Sequence, residues 1–276
     1  MKKRYQPLPW YGGKAGYGKA KWIASLLPCR KDSVYVEPFG GMAGVLVNRT
    51  PVKLEIFNDL DNRIVNWWRV VRNNREEFGK MVETLHHSRT EHEWAKVAVD
   101  DASLPDIDRA LAFHCIVLQS VLRNVSGSGY WIRDTSKRTI ARWRSERVAV
   151  LAERMWNVQL ECIDACELLE KTIPRLRKED VIYCDPPYRT MSTHAYLHEN
   201  VDIERLTNLL VACSAHVAIS GVGDEWAHLG WMKHEKEILR GPVPGRASSK
   251  LRVEVLWTNY VPTTNSPHSQ SLPLTL

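Results

Sequence analysis

Three features of the 276-residue chain predict an α/β fold, with a largely parallel sheet interrupted by one smaller module. Short apolar runs alternate with helical patterns at both ends of the chain. A glycine turn follows the first of these runs. Acids or glycines stand where three of the runs finish: Glu37 with Gly40-Gly41, Asp59, and Asp185. Strands alternating with helices build parallel sheets, and open parallel sheets bind ligands beyond the carboxyl ends of their strands. A chain of this length is one large domain or two modest ones, at ~100–200 residues per domain.

The elements follow in order. Residues 33–39, Ser-Val-Tyr-Val-Glu-Pro-Phe, read as a short buried strand broken by Pro38. Gly40–Gly44 turns into an apolar helix start at Val45–Asn48, and Lys53–Phe57 makes a second strand ending at Asn58-Asp59. From Arg63 to about Glu83, Ile64, Trp67, Trp68, Val71, Phe78 and Val82 recur at helical spacing. The character then changes. Ala110–Leu122 is a helical apolar run, and Ser-Gly-Ser-Gly at 126–129 leads into Tyr130-Trp131-Ile132, as in a helical insertion carrying a glycine-rich loop or hairpin. Strands return at Val158–Cys162, ending at Asp164, and at Asp180–Cys184, ending at Asp185. Val217–Ser220 and Glu254–Asn259 read as two more. The stretch from Pro262 onwards is rich in Pro, Ser and Thr, lacks periodicity and reads as a loose tail. No internal repeat of fixed period is present.

With 44% hydrophobic and 25% charged residues the chain can bury a core, which excludes a wholly disordered protein. No apolar run approaches the ~18 residues of a membrane span, and no apolar stretch follows the basic residues at the start. A cytoplasmic protein, neither secreted nor membrane-spanning, is expected. The six cysteines (29, 115, 162, 166, 184 and 213) include no CxxC pair, which suits reduced thiols and not a disulfide framework or zinc site. The net charge of +6 is concentrated: Val121–Arg147 holds seven basic and two acidic side chains. Such a segment suits phosphate neutralisation, although a solvated helix face has the same composition.

The glycine turn with an acid after the second strand fits NAD, ATP or S-adenosylmethionine, though Glu-Pro-Phe-Gly-Gly-Met-Ala-Gly lacks the G-x-G-x-x-G spacing of dinucleotide sites. The decisive stretch is Val181-Ile-Tyr-Cys-Asp-Pro-Pro-Tyr188. A Pro-Pro pair cannot continue a ladder, because neither residue donates an N–H. It makes a rigid turn presenting the Asp185 carboxylate, the Pro186 carbonyl and the Tyr188 ring together. An amino group on an aromatic base is a poor nucleophile, its lone pair being delocalised into the ring. Two acceptors on its hydrogens favour a more pyramidal nitrogen, and an aromatic face can stack on the base.

Other patterns carry less. Gly13–Lys19 satisfies G-x-x-x-x-G-K, but Ala20 stands where a P-loop has Ser or Thr, and Gln6–Pro9 is not a buried strand. His86, His87 and His92 lie in a polar helical region and are expected at the surface. Cys162 and Cys166 lack neighbours that would complete a metal set, so no metal is expected. Of the eleven tryptophans, Trp67, Trp68 and Trp156 are expected in the core, and Trp131 and Trp143 are candidates for contacts to DNA.

Pro9-Trp-Tyr-Gly-Gly-Lys14, Val36-Glu-Pro-Phe-Gly-Gly41, Asn58-Asp59 and Asp185-Pro-Pro-Tyr188 occur in this order over most of the chain. On these motifs the chain resembles the DNA adenine methyltransferases of the Dam type. The resemblance implies a Rossmann-like S-adenosylmethionine methyltransferase sheet with an inserted, mainly helical target-recognition module. The catalytic domain would comprise 1–68 and 151–261, the insertion 69–150, and the tail 262–276. It implies methyl transfer from S-adenosylmethionine to the amino group of adenine in double-stranded DNA, without a metal. Trp10, Lys14, Glu37, Gly40, Asp59, Asp164 and Asp185 would bind the cofactor, Asp59 through its ribose. Asp185, Pro186 and Tyr188 would hold the target base. Arg123-Asn124 with Gly127 and Gly129 corresponds loosely to the family's base-reading segment, and departs from its commoner pattern. Arg133, Lys137 and Arg138 are candidate phosphate contacts. A monomer in a bacterial or phage-infected cytosol, serving restriction–modification or evasion of host defence, is the family default. Methylation of cytosine's amino group, or a catalytically dead DNA-binding module, are the alternatives; the acid at Asp185 argues against the first and the intact motif set against the second.

Overall fold

The computed structural model describes residues 7–10, 13–14, 18–120, 129–130, 145–187, 201–239 and 251–262. Chain order is α1 (Lys19–Leu26), β1 (Val34–Glu37), α2 (Gly44–Asn48), β2 (Leu54–Asn58), α3 (Asn62–Asn73), α4 (Arg75–Thr84), α5 (Arg89–Ala98) and α6 (Asp106–Gln119). There follow α7 (Ser145–Met155), β3 (Val158–Glu161), α8 (Ala165–Thr172), β4 (Val181–Cys184), α9 (Ile203–Ala212), β5 (His216–Gly221), β6 (Met232–Leu239) and β7 (Leu251–Thr258).

The strands form one sheet in the order β3-β2-β1-β4-β5-β7-β6. Neighbours from β3 to β5 are parallel, and β7 runs antiparallel to both β5 and β6. Period-two alternation sorts the strand residues onto two faces. Tyr35, Phe57, Tyr183 and Ala218 join one buried cluster with α1 to α7. Val36, Ile56, Ile182 and Ile219 join the other with α8 and α9. Both faces are thus covered, which is why β1, β2, β4 and β5 read as nearly continuous apolar runs.

The helices between β2 and β3 bury their apolar faces in the first cluster. Phe78 on α4, Phe113 on α6 and Met155 on α7 share it with Trp67 and Trp68 on α3. Trp67 and Trp68 are fully buried, as expected. The periodic stretch from Arg63 to Glu83 is two helices, because Asn74 leaves helical geometry at φ −118°, ψ 30°. Trp156 overturns its expectation: it is 66% exposed in the turn after α7, where Met155 fills the core position instead. His92 is the reverse case, a buried side chain whose Nε2 lies 2.9 Å from Ser120 Oγ. Its helix turns that face toward the end of α6. Strand β6 was not expected, since Met-Lys-His-Glu-Lys-Glu-Ile-Leu has the composition of a solvated edge.

One buried ionic junction ties α7 to the sheet. Arg154 grips Glu55 on β2 through both guanidinium nitrogens, at 2.6 and 2.9 Å, and donates to the Leu46 carbonyl. Arg49, stacked on the Tyr35 ring at 3.9 Å, approaches the same carboxylate at 3.5 Å. Removing Arg154 leaves the buried Glu55 carboxylate with only the longer Arg49 contact, a loss approaching the roughly 3–5 kcal/mol of an uncompensated buried charge. Arg154→Met is therefore expected to lower the unfolding free energy by about that much in urea titrations. Lys171→Met, which breaks an exposed pair with Glu167, should change it little. Equal effects from the two would refute a structural role for the junction.

Candidate active site

The carboxyl ends of β1, β2, β3 and β4 lie side by side, and a predicted site residue closes each strand or follows it within three residues. Glu37 closes β1, and Gly40 and Gly41 follow in the next turn. Gly40 donates its N–H to the Asn58 carbonyl at 2.7 Å, and a Cβ there would stand 2.1 Å from the Phe57 ring. No side chain fits. Gly41 adopts φ +50°, and the Trp10 ring lies 3.6 Å from where its Cβ would be. Trp10 also packs on Phe113, with centroids 5.5 Å apart, so the N-terminal motif covers the glycine turn.

Asp59 follows β2. Its Oδ2 accepts the Gly41 N–H at 2.7 Å and its Oδ1 the Asp61 N–H at 2.9 Å, which aims the carboxylate across the turn. A carboxylate has about four acceptor positions, so each oxygen keeps one for a ligand. Burial pushes the Asp59 carboxyl up to about 6, against the two backbone hydrogen bonds. Asp164, after β3, is the N-cap of α8; its Oδ1 accepts the N–H groups of Cys166 and Glu167 at 3.0 and 3.1 Å. Its carboxylate thereby also satisfies two free helix donors.

Asp185 follows β4, and Pro186 beside it is buried. The Lys14 ammonium reaches Asp185 Oδ1 at 2.6 Å with only 4% of the lysine side chain exposed. Glu37 faces the same region: Tyr35 donates its hydroxyl to Glu37 Oε2 at 2.7 Å. Burial raises the Glu37 carboxyl to about 8; the Tyr35 bond opposes this and the negative charge of Asp185 adds to it.

Two polar residues with a part in the site were not predicted. Glu254 on β7 lies 3.2 Å from Lys14 Nζ and 2.8 Å from Lys19 Nζ. Burial favours the neutral Glu254 acid, but the two lysines hold its carboxyl below the usual range. Its signal was an acid between Val253 and Val255 in an apolar strand. Asn58 is fully buried and binds the turns after β1 and β3 through its side-chain amide. The two lysines of the P-loop-like stretch are thus both paired with carboxylates. Tyr188, Arg123, Asn124, Arg133, Lys137 and Arg138, with Trp131 and Trp143, lie outside the described residues. The six cysteines are free thiols, and no cluster of three or more His, Cys, Asp or Glu side chains among the described residues could hold a metal ion.

A family model for D12 class N6 adenine-specific DNA methyltransferases matches residues 10–228. The chain belongs to that family. The matched span begins at Trp10 and includes every acid described above except Glu254. This methyltransferase is also 26% identical to a DNA adenine methylase of Serratia marcescens over 208 residues, 71% of each chain. Two solved structures align with it at low identity. One is a precorrin-6y C5,15-methyltransferase of Geobacter metallireducens, at 9% identity and TM-score 0.37 over 87% of this chain and 86% of that one. The other is a precorrin 8w decarboxylase of Methanobacterium thermoautotrophicum, at 13% and 0.41 over 92% and 95%.

The enzyme methylates the amino group of adenine in DNA, and S-adenosylmethionine is the methyl donor. Methylation of cytosine is not favoured by the family match. The site suits the cofactor: Asp59 keeps an acceptor position on each oxygen beside the glycine turn, and the Trp10 ring lies over that turn. No helix among the described residues is long and apolar enough to cross a membrane.

Asp59 gives a pH signature. Its folded-state value of about 6 lies above the ordinary ~3.9, so the folded protein holds this proton more tightly than the unfolded chain. Its contribution to stability is present below about pH 4 and lost as pH rises through about 6. Hydroxyl donors prefer the carboxylate, so binding through it follows the opposite slope. Cofactor affinity measured by calorimetry is expected to fall as pH drops below about 6, and Asp59→Asn should remove that slope. A slope unchanged in the variant would exclude Asp59 from cofactor binding.

Proposed function

We propose that Asp185, Pro186 and Tyr188 hold a flipped-out adenine of duplex DNA, while Trp10, Lys14, Glu37, Gly40, Asp59, Asp164 and Asp185 form the cofactor site. The observation that carries this reading is the buried Lys14–Asp185 contact, which joins the N-terminal motif to the Asp-Pro-Pro turn beside Gly40 and Asp59. A base inside the stack cannot reach such a site, and extrusion costs a few kcal/mol. The Asp185 carboxylate and Pro186 carbonyl accept the two amino hydrogens, and Tyr188 stacks on the ring. S-adenosylmethionine supplies a methyl group already activated by its sulfonium. The protein's task is placement, an effect worth up to ~7–11 kcal/mol. The Asp59 acceptors orient the ribose, and Asp185 fixes the attacking nitrogen.

The segment 69–150, inserted between catalytic parts 1–68 and 151–261, is the target-recognition module in this reading. Its basic residues supply phosphate contacts that position the duplex, Arg133, Lys137 and Arg138 among them, while Arg123-Asn124 approaches the bases. The enzyme acts as a monomer in the cytoplasm.

The test is transfer of labelled methyl from S-adenosylmethionine to methylation-free plasmid, followed by base-resolved sequencing. Methyladenine in a fixed short context is expected. Asp185→Ala should reduce transfer by at least a thousandfold, on the order of 4 kcal/mol, with DNA affinity nearly intact. Strong residual turnover in that variant would remove Asp185 from the catalytic centre.

A further inference from the structure

Four charged side chains form an alternating line at the carboxyl edge of the sheet. Asp185 meets Lys14 at 2.6 Å, Lys14 meets Glu254 at 3.2 Å, and Glu254 meets Lys19 at 2.8 Å. Their side chains are 17, 4, 9 and 16% exposed in that order. They come from separate parts of the chain: the turn after β4, the segment before α1, strand β7, and the start of α1. Glu254 is the most firmly based of them. Its strand is flanked on both sides, with Val255 opposite Gly221 of β5 and Glu254 opposite Lys236 of β6.

The Lys14–Asp185 contact that assembles the site also competes with the substrate amino group for Asp185. An ammonium is a stronger hydrogen-bond donor than the amino group of an aromatic base, and a pair with one draws negative charge away from the other acceptor positions. A cation on the carboxylate that holds the substrate also opposes the positive charge developing on the attacking nitrogen. Both effects favour a shift of Lys14 away from Asp185 when the base arrives. A buried ammonium cannot leave one partner without another to receive it. Glu254 is already within 3.2 Å, and Lys19 holds its other oxygen, so its carboxylate need not move.

We propose that Glu254 is a positioning residue for methyl transfer, taking over the Lys14 ammonium as the substrate amino group claims Asp185. This rests on the reading in which Asp185 accepts the amino hydrogens. Glu254 touches neither substrate nor cofactor in this scheme; it acts through Lys14. The requirement is for its charge and not its shape. Glutamine keeps the shape and an acceptor but cannot neutralise Lys14, whereas aspartate keeps the charge on a shorter stem.

The experiment compares Glu254→Gln, Glu254→Asp and wild type in the full chain, with single-turnover methyl transfer to DNA, calorimetry with S-adenosylmethionine and thermal unfolding. Glu254→Gln is expected to slow the single-turnover rate at saturating S-adenosylmethionine about tenfold, the scale of one charge-assisted interaction. Glu254→Asp should recover most of the rate even if it is the less stable variant. The proposal is overturned if Glu254→Gln transfers methyl at the wild-type rate, or if both variants lose rate in step with stability. Should Glu254→Gln fail to fold, a full rate in Glu254→Asp supports the need for charge and a rate as low as unfolded controls overturns it. Absence of transfer by wild type on any DNA would instead defeat the assignment of Asp185 itself.

Discussion

One buried amide organises the carboxyl edge of this sheet. Asn58 donates through Nδ2 to the carbonyls of Pro38 and Ile163 at 2.9 and 3.0 Å, and its Oδ1 accepts the Ile163 N–H at 3.0 Å. Its own carbonyl accepts the Gly40 N–H at 2.7 Å. Three chain exits, after β1, β2 and β3, are thereby held in one arrangement by a single residue with no exposure to water. Glu37, Asp59 and Asp164 lie within two residues of these bonds. An apolar residue at 58 would leave buried peptide groups on both neighbouring turns without partners, which costs more than the bonds themselves contribute. The glycine at 40 is a consequence of the same packing, since its N–H reaches Asn58 only where no Cβ lies between it and the Phe57 ring.

The opposite end of the site is held by charge instead. Lys14 precedes the first helix, and its ammonium meets two carboxylates distant in sequence, Asp185 after β4 and Glu254 on β7. Through Lys14 they tie the segment that carries Trp10 to this end of the site. The two halves of the site therefore respond differently to conditions. Amide bonds of Asn58 do not titrate, whereas Lys14, Glu254 and Asp185 form a chain in which altering one charge changes the environment of the next.

Strand cores and motif acids were legible in the sequence because each is a local signal. Val34–Glu37, Leu54–Asn58 and Val181–Cys184 are apolar runs stopped by an acid or a turn, and buried parallel strands leave that trace. Strand β6 left none, because at an edge its alternating charges look like any solvated segment. The break at Asn74 was hidden for another reason: the residues on both sides keep helical spacing, and only the backbone angles of one asparagine separate two helices. Trp156 and His92 show that a side chain's burial depends on what lies opposite. Motif residues Lys14, Asp59 and Asp185 were found from the sequence, but the pairing of Lys14 with Asp185 and Glu254 was not, since it forms only when β4 and β7 are in place.

The protonation states make these acids compatible with one another and with their ligand. Four carboxyl groups, on Glu37, Asp59, Asp185 and Glu254, converge where burial penalises every unpaired charge. Lys14 and Lys19 neutralise two of them, Asp185 and Glu254, at contact distance. Glu37, raised to about 8, stays protonated at neutral pH and so adds no repulsion toward Asp185. Asp59, at about 6, is ionised there and is the one anion of the four without a cation within ion-pair distance among the described residues. Of these four acids, the anion with no cation at contact distance is the one that faces the glycine turn. In the proposed reading a sulfonium cofactor brings a positive charge to this edge, and burial of the two together costs less than burial of either alone. Under that reading the charge that makes Asp59 costly to bury is the charge that favours the cofactor.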